Sequence, residues 1–315
     1  MQVSLAPLAE YTDYPFRRAC RAFGLRNAYT PMIDAGALAH GSPGNDVILA
    51  RGDDEPWLGV QLLGGWNKDL PVAARMLLDM PYDAYDFNMG CPMQKVIKRP
   101  AGAALTWPEN QGDALACVEM LRKIWTGRIF TVKMRILDFE NPEPTVQFAR
   151  RLEECGVDGL TVHGRVQKAI YSGEVSTRVI AAVREAVSIP VTANGGVFDK
   201  ASAERLSAET GCERVMVARG AIGNPWIFRA LLQGGEMRPT HGELCDVLER
   251  HIEGICELYP RPFPVARKIV VSYVRGRGYS KRFRERGCRL NSWEEFWEFA
   301  RDLRAEGPVG RPGAG

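Results

Sequence analysis

Eight short apolar runs, each followed by a stretch of helical period, leave this chain few folds to adopt. The runs are VSLAP (3–7), AYTPM (28–32), LGVQLL (58–63), AYDFNMG (84–90), FTVKMRI (130–136), GLTVHGR (159–165), PVTANGG (190–196) and RVMVARG (214–220). Most are too apolar to keep one face in water, which is the pattern of parallel strands covered by helices. The segments between them carry helix boundaries. Asp13 caps a helix ending near Gly24, Pro144 to Cys155 stops at Gly156, Asp199 precedes a helix ending near Gly211, and Asn224-Pro225 reads as a cap followed by proline in the first turn. Eight strand–helix units over about 235 residues is the arithmetic of an α/β TIM barrel. No GxGxxG follows the first strand, so a doubly wound sheet lacks its fingerprint. The expected organisation is a (β/α)8 barrel over 1–237, a small helical domain over 238–308, and a disordered tail over 309–315, where the chain ends in VGRPGAG.

Cysteine usage narrows the setting. The eight cysteines of the 315-residue chain stand singly, with no CxxC pair and no secretory leader, so a disulfide framework is not expected and a reduced cytoplasm fits. His241, Cys245, His251 and Cys256 match no zinc template, and no metal is expected. No apolar run reaches the roughly 18 to 20 residues of a membrane span.

Charge is unevenly distributed. The chain carries +3 overall, yet residues 261–289 hold ten bases against one acid, Glu285, a local +9 that leaves −6 for the rest. Such a block is either a solvated helix face or the footprint of a polyanionic partner. Phe263, Tyr273, Tyr279 and Phe283 interleave the bases, and arginines beside aromatics suit unstacked nucleotides. Arg275, Arg277 and Arg282 lie in the densest part of the run and are the candidate RNA contacts.

A TIM barrel places chemistry at the C-terminal ends of its strands. Those ends carry Ala6, Pro7 and Leu8; Gln61; Asn88 with Cys91; Lys133 with Arg135; His163 with Arg165; Asn194, Gly195 and Gly196; and Ala218, Arg219 and Gly220. Any one alone would read as structural, since a lone histidine or buried amide usually serves the backbone; seven strand ends agreeing argues for a site. Glycines on the loops after strands seven and eight let backbone N–H groups approach a phosphate. Lys133 can stabilise negative charge on a bound heteroaromatic ring, and Gln61 can pair with an imide edge by donating and accepting at once. Phosphate plus an imide-bearing ring points to FMN, held non-covalently.

Within YDFNMGCP (85–92), Cys91 is a general acid, a structural thiol or a nucleophile. A thiol with an ordinary pKa near 8.5 is mostly protonated at pH 7, which suits an acid, and the motif offers no adjacent base to activate a nucleophile.

These residues resemble the bacterial tRNA-dihydrouridine synthases. The likeness is carried by APL (6–8), NMGCPMQKVIKRPAGAAL (88–105), VKMR (132–135), TVHGR (161–165), TANGG (192–196) and VARGAIGNPWIF (217–228), and so covers the barrel. It implies FMN around Pro7, Gln61, Lys133, His163, Asn194, Gly196 and Arg219-Gly220, with Ala6, Leu8, Gly195 and Ala218 beside it. It implies Cys91 as the acid, with Asn88, Lys95, Arg135 and Arg165 toward the uridine and its phosphate, NADPH as reductant, and a C-terminal domain that grips tRNA. Leu8 stands where the family usually has Met, Ala218 replaces a common glycine, and Pro100 interrupts a stretch usually richer in glycine. The reading that competes is an FMN-dependent barrel acting on a small molecule, of the dihydroorotate or ene-reductase type, which leaves the basic segment unexplained. Nothing requires more than a monomer.

Overall fold

The computed structural model describes residues 1–309. Strands β1 (Gln2–Leu5), β2 (Asn27–Asp34), β3 (Trp57–Leu63), β4 (Ala84–Met89), β5 (Ile129–Arg135), β6 (Gly159–His163), β7 (Val191–Asn194) and β8 (Arg214–Val217) follow the eight apolar runs. They pair in parallel, in chain order, and β8 closes onto β1 to complete the barrel. Every residue of β4 and of β6 is buried, as strands covered on both sides require.

Register then sets one layer near the C-terminal rim. Asn88 pairs with Lys133, Arg135 with His163, His163 with Asn194, and Asn194 with Met216, so neighbouring strands bring polar side chains to one level. In β2, Pro31 has no N–H to give, and the register shifts between Tyr29 and Met32. The Thr30 hydroxyl takes over as acceptor for the Gln61 N–H at 3.3 Å.

Three of the expected helix boundaries are seen. Asp13 accepts the Phe16 N–H ahead of helix Tyr14–Arg21, Asp199 and Ser202 form a capping box before Lys200–Thr210, and Gly156 (φ +86°) follows Glu143–Glu154. The fourth is different. Helix Ile227–Leu232 starts after Trp226, and the Asn224 side chain, instead of capping it, donates to Gly220 O. Asn224 Oδ1 accepts from Arg277 at 3.1 Å, so the side chain is turned toward the C-terminal helices.

After the barrel come helices His241–Leu258, Phe263–Val274, Lys281–Gly287 and Trp293–Glu306. They are tied back to it at named points. Tyr259 donates to Asp13 at 2.7 Å, Lys268 pairs with Glu10, and Arg277 donates to Gly223 O at 3.0 Å while lying 5.1 Å over the Trp226 ring. Gly223 (φ +64°) lets helix Phe263–Val274 approach closely, because a Cβ there would sit 2.3 Å from Ser272 O. Val309, expected to open the disordered tail, donates its N–H to Gly278 O, and the rest of that tail lies outside the described residues.

The basic segment differs from the expectation. Tyr273 and Phe283 are 0% and 1% exposed and belong to the hydrophobic core, and Tyr279 is buried with them, so these three offer no free stacking face; Phe263 is half-buried against that core. Tyr273 lies on helix Phe263–Val274, Tyr279 in the turn after it and Phe283 on helix Lys281–Gly287, and each turns its ring inward while exposed bases stay outside. Arg277 docks the C-terminal helices on the barrel through Gly223 O, Asn224 Oδ1 and the Trp226 ring, and Arg282 is paired with Glu306. We expect Arg277→Ala to lower stability by about 2 kcal/mol, because it strands buried acceptors and removes a cation over an indole. Arg275→Ala, on an exposed side chain, stays within about 0.5 kcal/mol. Urea-unfolding midpoints check both; equal midpoints for the two variants would contradict the docking role.

Candidate active site

The rim of the barrel encloses a cavity of about 320 Å³. Its geometry starts with Asn88 at the end of β4. The Asn88 Oδ1 accepts the Gly90 N–H at 3.0 Å and the Cys91 N–H at 2.9 Å, an Asx-type turn that bends the chain off the strand. Behind it, Gly102 (φ +58°) lets the following loop close in, since a Cβ would lie 2.9 Å from Cys91 O. Ala103 N–H then donates to that same oxygen at 3.0 Å. The thiol is therefore presented to the cavity by a turn fixed from both sides. Burial pushes the Cys91 pKa up, which outweighs the Met93 N–H and the Arg135, Lys95 and Lys133 charges, and the thiol is protonated at neutral pH.

Opposite the turn stands a set of cations. Lys133 donates to Asn194 Oδ1 at 2.9 Å, and burial together with Arg135 brings its pKa down to about 8. Arg135 donates to Gly90 O, Val166 O and Ile170 O at 2.8, 3.2 and 2.8 Å, and Arg165 to Gly173 O at 3.0 Å. Arg219 donates to Tyr171 O and lies 4.7 Å over the Tyr171 ring. His163 is driven far below its ordinary value by burial and by Lys133, Arg135 and Arg165, so its imidazole is neutral. Among the described residues four cations line the cavity and no carboxylate does, an arrangement built for an anion or for a ring that accumulates negative charge.

The glycines at the ends of β7 and β8 complete the cradle. Gly195 (φ +121°) would place a Cβ 2.8 Å from His163 Cδ2, and at Gly220 a Cβ would lie 2.2 Å from Val197 O. Only glycine leaves the backbone this close to its neighbours; Gly195 does so at the cavity wall and Gly220 beneath it.

Residues 4–305 match the family model described as Dihydrouridine synthase (Dus). The chain belongs to the dihydrouridine synthase family. It is 36% identical over 286 residues to "Probable tRNA-dihydrouridine synthase" of Rhodobacter capsulatus, covering 86% of each chain. To "tRNA-dihydrouridine synthase B" of Pseudomonas aeruginosa it is 32% identical over 313 residues, covering 96% of this chain and 92% of that one. To the Pasteurella multocida protein of that same name it is 30% identical, covering 87% and 84%.

In this family member most residues expected at the site line the one cavity. Ala6, Pro7 and Leu8 form a wall from the β1 end; Asn88 and Cys91 come from β4 and its turn. Lys133, Arg135, His163 and Arg165 come from β5 and β6; Asn194, Gly195 and Gly196 from β7; Ala218 and Arg219 from β8. Three residues expected beside them lie elsewhere or are otherwise engaged. Gln61 is 0% exposed, with Nε2 donating to Asp86 at 2.7 Å and Oε1 accepting from Asn88 at 2.7 Å, so both ends of the amide expected at a ring edge are occupied. Gly220 is buried beneath the cradle, and Lys95 is exposed on the short helix Gln94–Ile97. Pro100, also exposed, follows that helix, and Arg99 beside it pairs with Asp34.

Sequence reasoning missed Tyr171 and Phe198, which are 46% and 49% exposed at the rim around Arg219, and it missed Asp86, 1% exposed inside the barrel. The signal for Asp86 is a carboxylate in the middle of a strand whose every residue is buried.

A raised thiol pKa has a measurable consequence. Alkylation of Cys91 by iodoacetamide, followed by peptide mass spectrometry, should be slow at pH 7 and should climb only at a higher pH than for an ordinary exposed cysteine, because the thiolate is the nucleophile. Rapid labelling at pH 7 would mean that the neighbouring cations strip the proton.

Proposed function

We propose that the chain reduces the C5–C6 bond of a uridine in tRNA to give dihydrouridine, with FMN as its bound cofactor and NADPH as reductant. The observation that carries this reading is a protonated thiol on a fixed turn, facing a cavity with four cations and no carboxylate among the described residues, in a chain of the dihydrouridine synthase family.

The residues fit FMN on the structure's own terms. Arg219 and the backbone of Gly195 and Gly196 at the end of β7 suit the phosphate, and Lys133, held by Asn194, suits the electron-rich edge of the ring. Apolar walls from Ala6, Pro7, Leu8 and Met216 suit the ring faces. Reduced FMN supplies a hydride for C6 of the base.

The chain's residues handle the proton. As the hydride bonds to C6, charge develops toward C5 and the O4 side of the uracil. Cys91 gives its S–H proton to C5, so that S–H breaks as C5–H forms and the thiolate is reprotonated from solvent. Arg135, Arg165 and Lys133 oppose the developing charge, and His163, being neutral, can donate or accept without adding another cation. The base must leave its stack to reach this depth, so the substrate is a loop nucleotide or one flipped into the barrel mouth. Lys95 is exposed where the rest of the RNA would pass.

For the RNA body, the basic segment offers fewer free charges than its count suggests. Arg261, Arg275, Arg284 and Arg289 are exposed without an ion-pair partner among the described residues, whereas Lys268, Lys281, Arg282 and Arg286 are each paired with an acid. No helix among the described residues is long and apolar enough to cross a membrane. Eight unpaired thiols support a reduced cytoplasmic setting, and the reading needs only a monomer.

Cofactor released by heat from the purified protein should be FMN, and Cys91→Ala should keep it and keep its reduction by NADPH, while dihydrouridine formation falls by about 10² to 10⁴. Unchanged turnover in that variant would return Cys91 to a structural role. Replacing Arg261, Arg275, Arg284 and Arg289 together with Ala should lower the log–log salt slope of tRNA binding by up to about four, with flavin binding untouched. An unchanged slope would mean that tRNA is held elsewhere.

A further inference from the structure

Asp86, Gln61 and Asn88 form a continuous chain of hydrogen bonds inside the barrel that ends at the cysteine turn. Asp86 Oδ1 accepts from the Thr131 hydroxyl at 2.6 Å and Oδ2 accepts from Gln61 Nε2 at 2.7 Å. Gln61 Oε1 accepts from Asn88 Nδ2 at 2.7 Å, and Asn88 Oδ1 accepts from the Gly90 and Cys91 N–H groups. Neither Asp86 nor Gln61 lines the cavity.

We propose that Asp86 is a positioning residue for the Cys91 proton donor: its acceptor-only end fixes the direction of both amides and thereby holds the turn that presents the thiol. The inference rests on the reading of Cys91 given above. An amide has nearly the same shape either way round, so its direction is set by its partners. If Gln61 turned over, its Oε1 would face the Asp86 oxygen and its Nε2 would face Asn88 Nδ2. Asn88 would then turn as well and present an NH₂ group to two N–H donors, leaving the turn without its acceptor. Water cannot repair this, because Asp86, Gln61 and Asn88 are 1%, 0% and 7% exposed. A carboxyl here is otherwise costly: burial pushes its pKa up to about 7, against the Thr131 and Gln61 hydrogen bonds and the Lys133 charge. Even the protonated form keeps the chain, since a proton on Oδ1 can be given to Thr131 while Oδ2 still accepts from Gln61.

The test is an exchange of charge along the chain in the flavin-loaded full-length protein, using Gln61→Glu, Asp86→Asn and the pair together. Gln61→Glu sets two carboxylates face to face. Asp86→Asn alone can turn its oxygen to Gln61 and its NH₂ to Thr131, and should be mild. In the pair, the amide introduced at position 86 donates to the carboxylate introduced at position 61. That carboxylate still accepts from Asn88, so the direction of the Asn88 amide is restored. We expect Gln61→Glu to speed amide hydrogen exchange at Gly90 and Cys91 and to slow dihydrouridine formation, each by about tenfold or more, and the pair to recover most of both. Effects that simply multiply in the pair, or exchange at Gly90 and Cys91 that is unaltered by Gln61→Glu, would overturn the proposal. Full activity of Cys91→Ala would instead overturn the donor assignment, whatever the exchange data show.

Discussion

Two backbone N–H groups sharing one amide oxygen decide where the Cys91 thiol stands. Without the Asn88 Oδ1 acceptor, the Gly90 and Cys91 N–H groups would be partly buried donors with no partner, and the chain leaving β4 would have no reason to bend where it does. The other requirements of the motif follow from that bend. Gly102 admits the neighbouring loop, the Ala103 N–H closes on Cys91 O, and the Arg135 Nε seals Gly90 O from the far side. A thiol held this way is buried enough to keep its proton and open enough to offer it.

The cations opposite pose the reverse problem, since buried charge without counter-charge is expensive. Backbone carbonyls offset part of that cost. Arg135, Arg165 and Arg219 donate to oxygens of residues 166 to 173, and the loop is shaped to supply them. Ile170, a β-branched residue at φ +49°, adopts a conformation it would not choose alone, and its carbonyl is the one that meets Arg135. Strain in the loop and electrostatics in the cavity are thus two sides of one arrangement. The absence of any lining carboxylate among the described residues preserves the positive potential that an anionic ligand would meet.

Much of this could be read from the sequence, and the reasons are physical. Apolar runs mark buried parallel strands because both faces are covered, and the barrel fixes which end of each strand is reactive. That carried Cys91, Lys133, His163, Asn194 and Arg219 to one cavity. What could not be read were side-chain directions. Gln61 sits at the expected strand end, yet its amide is held by Asp86 and Asn88, a pairing that spacing does not encode. Tyr273 and Phe283 stand among bases in the sequence, but each lies on the inward face of its own helix. Arg277 looked like one more surface base, and only the fold brings Gly223 and Trp226 beneath it.

The central claim is that a thiol on a fixed turn and a cationic cavity together saturate a uracil ring within RNA. Its most direct test is to incubate the flavin-loaded protein with NADPH and unmodified tRNA transcripts, then map masses after nuclease digestion. The account predicts that one uridine site gains the mass of two hydrogens, and that NADPH is consumed in equal amount. NADPH consumption with small enone or orotate-type substrates, with no mass gain on any uridine, would contradict it.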